Sequence, residues 1–131
     1  MSSATDDIKA RIDAIESSYE FFLAYAAQGL TTDQGAKAGV ELRDFLAKME
    51  GALDGLGDQV AAAAEGAEPA DAWTDMVEVV RADARAARAA VRLVSARKGV
   101  SSQLIDSLNA NIHIRALLTD LFLVDELTDG S

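Results

Sequence analysis

A chain of 131 residues, half of them hydrophobic, is long enough to bury the core of one domain without staples, and the absence of cysteine excludes disulfides, thiolate metal sites and cysteine nucleophiles. The net charge of −10 and an isoelectric point near 4.4 argue against generic binding to a polyanion, because the summed field repels phosphate. The opening MSSATDD has no basic and apolar leader, and no apolar run is long enough to span a bilayer, so a cytoplasmic protein with no membrane attachment is expected.

Thr5, followed by Asp6 and Asp7, has the chemistry of a helix start: a capping hydroxyl with two carboxylates in the electropositive first turn. Ile8, Ile12, Ile15, Tyr19, Phe22 and Ala26 then recur at intervals of four and three, the heptad seam of a first helix that Gly29 ends. A second line, Ala14, Ser18, Phe21 and Tyr25, lies on another side. Each large aromatic there forgoes about 1.5–3 kcal/mol if left in water. Phe21 and Tyr25 are therefore expected to be covered, either by a second copy of the chain or by a neighbouring helix of the same one.

Thr31-Thr32-Asp33-Gln34 has the pattern of a capping box, with Thr31 reaching forward and Gln34 back. The second helix then places Ala38, Leu42, Phe45, Met49 and Ala52 on one line. Gly35 and Gly39, four apart near its start, signal close approach of backbone. Gly51, Gly55 and Gly57 interrupt the pattern. The alanine-rich run over 58–65 supplies a further helical turn or two before Gly66 and Pro69.

Pro69 suits the first turn of a third helix, where Trp73, Val77, Val80, Ala84, Ala87, Val91 and Val94 hold a four-three rhythm up to Gly99. Arg81, Arg85, Arg88 and Arg92 run beside that seam in the same rhythm, in a segment whose only acid is Asp83. Residues 1–78 carry most of the acid, so one helix is basic on an otherwise acidic molecule. Guanidiniums one turn apart suit carboxylates or phosphates. They either recruit a protein partner or neutralise the chain's own acidic helices.

The last long segment, 101–127, carries the most apolar surface, and Ser101 or Ser102 caps it. Leu104, Leu108, Ile112, Leu118 and Phe122 share one face of a continuous helix, opposite Ser102, Asp106, Asn109, His113 and Asp120. Leu117, Leu121 and Val124 then fall on the side of Asp106 and Asp120, which makes the second half apolar nearly all round. Such a helix is either central or covered by a partner. Asn111 and Arg115 point into the apolar arc, where Glu16 or Glu20 could pair with the arginine. Failing that, the stem of Arg115 lies on the core with its head in water.

Abundant alanine and the lack of any sustained period-two alternation make the chain all-α. Helices over about 6–28, 32–54, 70–98 and 101–127 fold most simply into an antiparallel up-down-up-down four-helix bundle, a single domain over 1–131 with a short extra helical turn in the second connection.

No glycine falls into a phosphate-cradling spacing and no nucleophile elbow is present. One histidine cannot supply the two Glu-x-x-His pairs of a di-metal bundle. A solvent-facing histidine on a bundle is similar to the arrangement in histidine phosphotransfer domains, but their leucine, lysine and glycine after the histidine are Arg115, Ala116 and Leu117 here. The expectation is a non-catalytic helical interaction protein, an adaptor, assembly factor or regulator, that binds another protein through charged helix faces and uses no cofactor. Arg81, Arg85, Arg88 and Arg92 are the candidate partner surface. A homodimer through Phe21, Tyr25, Leu117, Leu121 and Val124 is expected, and nucleic acid is not an expected partner. The alternative is a bundle that binds a small molecule at Tyr19, Glu20, Asn111 and Arg115 or accepts a phosphoryl group at His113.

Overall fold

The computed structural model describes the backbone of residues 3–129 and side chains over 6–128. Among the described residues the chain is all-helical, with α1 (Ser3–Ala27), α2 (Lys37–Leu53), α3 (Leu56–Ala63), α4 (Ala70–Ser95), α5 (Ser102–Asn109) and α6 (Ile112–Asp129). The first helix starts earlier than a Thr5 cap implies, and the Thr5 side chain lies outside the described residues.

Helices α1 and α4 lie across from one another, each packed on α2, α3, α5 and α6. Near the start of α1 the Arg11 guanidinium donates to the carbonyls of Ala52 and Asp54 at the end of α2, at 3.0 and 2.6 Å. Near its end, Tyr25 donates its hydroxyl to Val100 O at 2.7 Å. The core between them holds Ile8, Ile15 and Phe22 from α1, Leu42 and Met49 from α2, Val80 and Val91 from α4, and Ile105, Leu117 and Leu121 from α5 and α6. The alanines expected on the inner face of α4, Ala84 and Ala87, are buried. Their small side chains let neighbouring helices come close.

The expected dimer face is internal. Tyr25, Leu117, Leu121 and Val124 are fully buried by the chain's own helices, and Phe21 stacks on Phe45 of α2 with ring centroids 4.5 Å apart. The second line on α1 is simply a second core face, because α1 is flanked by helices on more than one side. Ser18 on that line satisfies its hydroxyl by donating to Ala14 O at 2.7 Å.

Helix α2 begins at Lys37, later than the capping-box pattern predicts. Thr31 and Gln34 do not form the box: Gln34 N–H donates to Thr32 Oγ1 at 3.2 Å, and the Gln34 side chain reaches Lys98 O at 2.9 Å. Asp33 instead turns inward and its carbonyl lies against Gly39, where a Cβ would stand 1.9 Å from it. Gly39 is the close-approach glycine. Gly35 lies in the connection at φ +80°, outside the helix.

The last segment is two helices rather than one. Asn109 ends α5, and the Asn111 side chain accepts the N–H of His113 at 2.8 Å and of Ile114 at 3.4 Å, capping a new helix. The break resets the rotational phase. Ile105, Ile114 and Leu117 therefore face the core, while Ile112 and Phe122 turn outward. Ser101 caps α5 by accepting Leu104 N–H at 3.0 Å. No helix among the described residues is long and apolar enough to cross a membrane.

Candidate functional site

The arginine line of α4 lies along the seam with α2 and α3, beside a cavity of about 340 Å³ that also touches Leu53, Asp54 and Gly57. Arg81 is paired with Asp58 and with Glu78, Arg88 with Glu50 and Asp54, and Arg92 with Glu50. Gly57 admits the Arg81 stem, since a Cβ there would meet its Cγ at 2.8 Å. Only Arg85 has no ion-pair partner among the described residues. The line thus supplies the acidic helices with counter-charges, in the manner of flanking charges on a bundle seam, where solvent and salt screen each exposed pair.

The four residues of the candidate pocket do not converge. Asn111 is committed to capping α6, Glu20 is exposed, and Arg115 is exposed with no ion pair to either Glu16 or Glu20 among the described residues. Tyr19 and Arg115 share only a shallow surface depression with Ile112, Ala116, Leu118 and Thr119.

His113 stands at the outer edge of a carboxylate pair, with Nδ1 3.5 Å from Asp83 Oδ1. Asp83 on α4 and Asp120 on α6 face each other across the seam. Burial and the adjoining Asp83 carboxyl push the Asp120 pKa up to about 7. The Oδ2 atom of Asp120 is out of solvent and has no hydrogen-bond partner. Two carboxylates that close cannot both ionise cheaply, so one holds a proton near neutrality. No group of three or more His, Asp or Glu among the described residues is placed to hold a metal ion.

A depression of about 770 Å³ opens between the α3–α4 connection, the start of α4 and the end of α6. Trp73 and Met76 from α4 face Leu123 and Leu127 from α6 across it, and Ala63, Ala67 and Pro69 contribute to its wall. Leu123 and Leu127 remain 49% and 54% exposed, and Phe122 beside them 48%. Helix α6 spends Ile114, Leu117, Leu121 and Val124 on the core and still carries this second apolar strip. Trp73 fits the core seam of α4 by spacing, yet it is only partly buried against the core and also lines this depression. The sequence carries one trace of the strip, two leucines four apart after Phe122 in a helix already apolar on its other faces.

Compared with protein families, curated proteins and solved structures, the chain matches none.

Proposed function

We propose that this chain is a non-catalytic interaction protein, an adaptor, assembly factor or regulator, that binds another protein through the groove formed by Trp73, Met76, Leu123 and Leu127. The observation that carries the reading is the apolar strip on α6 facing the chain's single tryptophan across an open trough. Half-exposed leucines grouped beside an aromatic are costly in water, and such patches mark contact sites. Tryptophan is the side chain most enriched among residues that dominate binding energy.

The scaffold in this reading is a four-sided antiparallel bundle, with α2 and α3 forming one side and α5 and α6 another. The arginines of α4 hold the seam beside α2 and α3. The recognition surface in this reading lies at the start of α4, where α6 finishes and beyond Arg81.

Affinity capture from the chain's own cells tests the reading. Wild-type protein retains a partner in defined stoichiometry, and Trp73→Ala with Leu127→Glu loses it while keeping its helix content. Retention by that variant, with loss in Arg85→Glu, would return recognition to the arginine face.

A further inference from the structure

We infer that the groove seats an amphipathic helix of another protein whose polar flanks are basic. The inference rests on the docking reading above and adds the chemistry of the occupant. The trough is lined on two sides by helices and floored by Trp73 and Met76, a shape that takes the i, i+3 or i+4, i+7 side chains of one helix face. Its only charged lining residues are Glu65 and Glu68, with no lysine or arginine among them. Neither glutamate has an ion-pair partner among the described residues, whereas Glu50, Asp54, Asp58 and Glu78 are all engaged by the arginines of α4. Asp75 and Glu126, three residues beyond the lining residues Ala72 and Leu123, are exposed on the same helices. An apolar trough therefore carries two carboxylates without an ion pair among the described residues, with more exposed acid on the helices that form it and Arg81 confined to the adjoining depression, on a molecule of charge −10. A second copy of so acidic a chain brings like charge to that trough, and an uncharged small molecule leaves the carboxylates unused. A helix with leucine-type residues on one face and lysine or arginine beside them satisfies both features.

The single tryptophan makes the test direct, because its emission reports this groove alone. The intact chain is titrated with two synthetic helical peptides that share a leucine stripe and carry either all lysine or all glutamate at the polar positions. The lysine peptide is expected to give a saturable blue shift, with the glutamate peptide at least tenfold weaker. Leu127→Glu adds an acid, so attraction to overall charge would tighten with it, whereas seating in the trough weakens about tenfold. Glu65→Gln with Glu68→Gln weakens the lysine peptide several-fold and reduces its dependence on salt.

Equal binding of the two peptides would overturn the basic occupant and leave the docking groove standing. Binding of the lysine peptide that Leu127→Glu does not weaken would reduce it to a field effect and overturn the seat. If neither peptide moves the emission, the inference fails. A Leu127-dependent dimer in sedimentation equilibrium would then assign the groove to a second copy. The docking reading itself fails separately, through partner capture that survives Trp73→Ala and Leu127→Glu.

Discussion

The Asp33 carboxylate accepts the Nε–H of Arg43 at 2.8 Å, and this one pair gathers three separate stretches of chain. Asp33 also accepts the backbone N–H of Val100 at 2.7 Å, just before α5. Arg43 donates to the carbonyls of Ser95, Arg97 and Lys98 and so satisfies the end of α4. The first connection, the last turn of α4 and the entry to α5 are fixed relative to one another by two side chains. Burial raises the Asp33 pKa, but the hydrogen bonds from Arg43 and Val100 outweigh it and hold the carboxyl below its usual value of 3.8.

Arg43→Ala leaves Asp33 buried without its counter-charge and strips donors from three carbonyls. Breaking such a pair typically costs about 3–5 kcal/mol. Urea unfolding at pH 7 is expected to show a loss in that range, and a change below about 1 kcal/mol would mean the corner is held by other contacts. Because the Asp33 pKa is depressed, its contribution is present above pH 3.8 and disappears as pH falls through the folded-state value.

Tyr25 closes the same corner. Its hydroxyl reaches Val100 O, and its own carbonyl accepts the Ser102 hydroxyl at 2.6 Å while that hydroxyl receives Leu30 N–H at 2.9 Å. Tyr25→Phe is expected to cost about 1–3 kcal/mol, because Val100 O is left buried without a partner. Phe21→Asp with Tyr25→Asp unfolds the chain rather than separating subunits; a soluble, fully helical double variant on circular dichroism would contradict this placement.

Asp120 gives stability the opposite pH dependence to Asp33. Its raised pKa means the folded state binds more protons than the unfolded one between pH 3.8 and about 7, so stability falls as pH rises through that window and levels off above it. Asp120→Asn should remove this slope and be more stable than wild type at pH 8, where the two facing carboxyls are both ionised in the native protein, by an amount that solvent screening reduces. Chemical unfolding of both proteins at pH 5 and pH 8 checks the sign. A variant no more stable than wild type at pH 8 would show that Asp83 and Asp120 do not oppose each other.

Two glycines of α2 predict opposite outcomes. Gly39→Ala drives a methyl into the Asp33 carbonyl and costs at least about 2 kcal/mol. Gly51→Ala meets nothing within 4 Å and gains about 0.5–1 kcal/mol from helix propensity. Thermal unfolding of the two variants should move in opposite directions.

The seams of α1 and α4 were legible because strict four-three spacing of Ile8, Ile12 and Ile15, and of Val77, Val80 and Ala84, leaves one rotational answer. The short α3 was legible from its alanines between glycines. The break at Asn111 was not, since an asparagine in an apolar helix reads equally as a buried polar residue and as a cap. That choice decides whether Phe122 faces the core. The Asp33–Arg43 pair was hidden for another reason: ten residues of sequence separate its members and only the folded first connection brings them together. Nor could spacing show that Trp73 stands at the end of a bundle, where a seam residue becomes the floor of a groove. The charges of Arg81, Arg88 and Arg92 were plain in the sequence, and their partners on α2 and α3 were not.

Hydrogen exchange of the chain alone and with its captured partner tests the central claim most directly. The account predicts added protection over residues 62–76 and 123–128, around Trp73 and Leu127, with the exposed arginine face of α4 unchanged. Protection centred on Arg85 and Arg92, with the groove exchanging as freely as in the isolated chain, would contradict it.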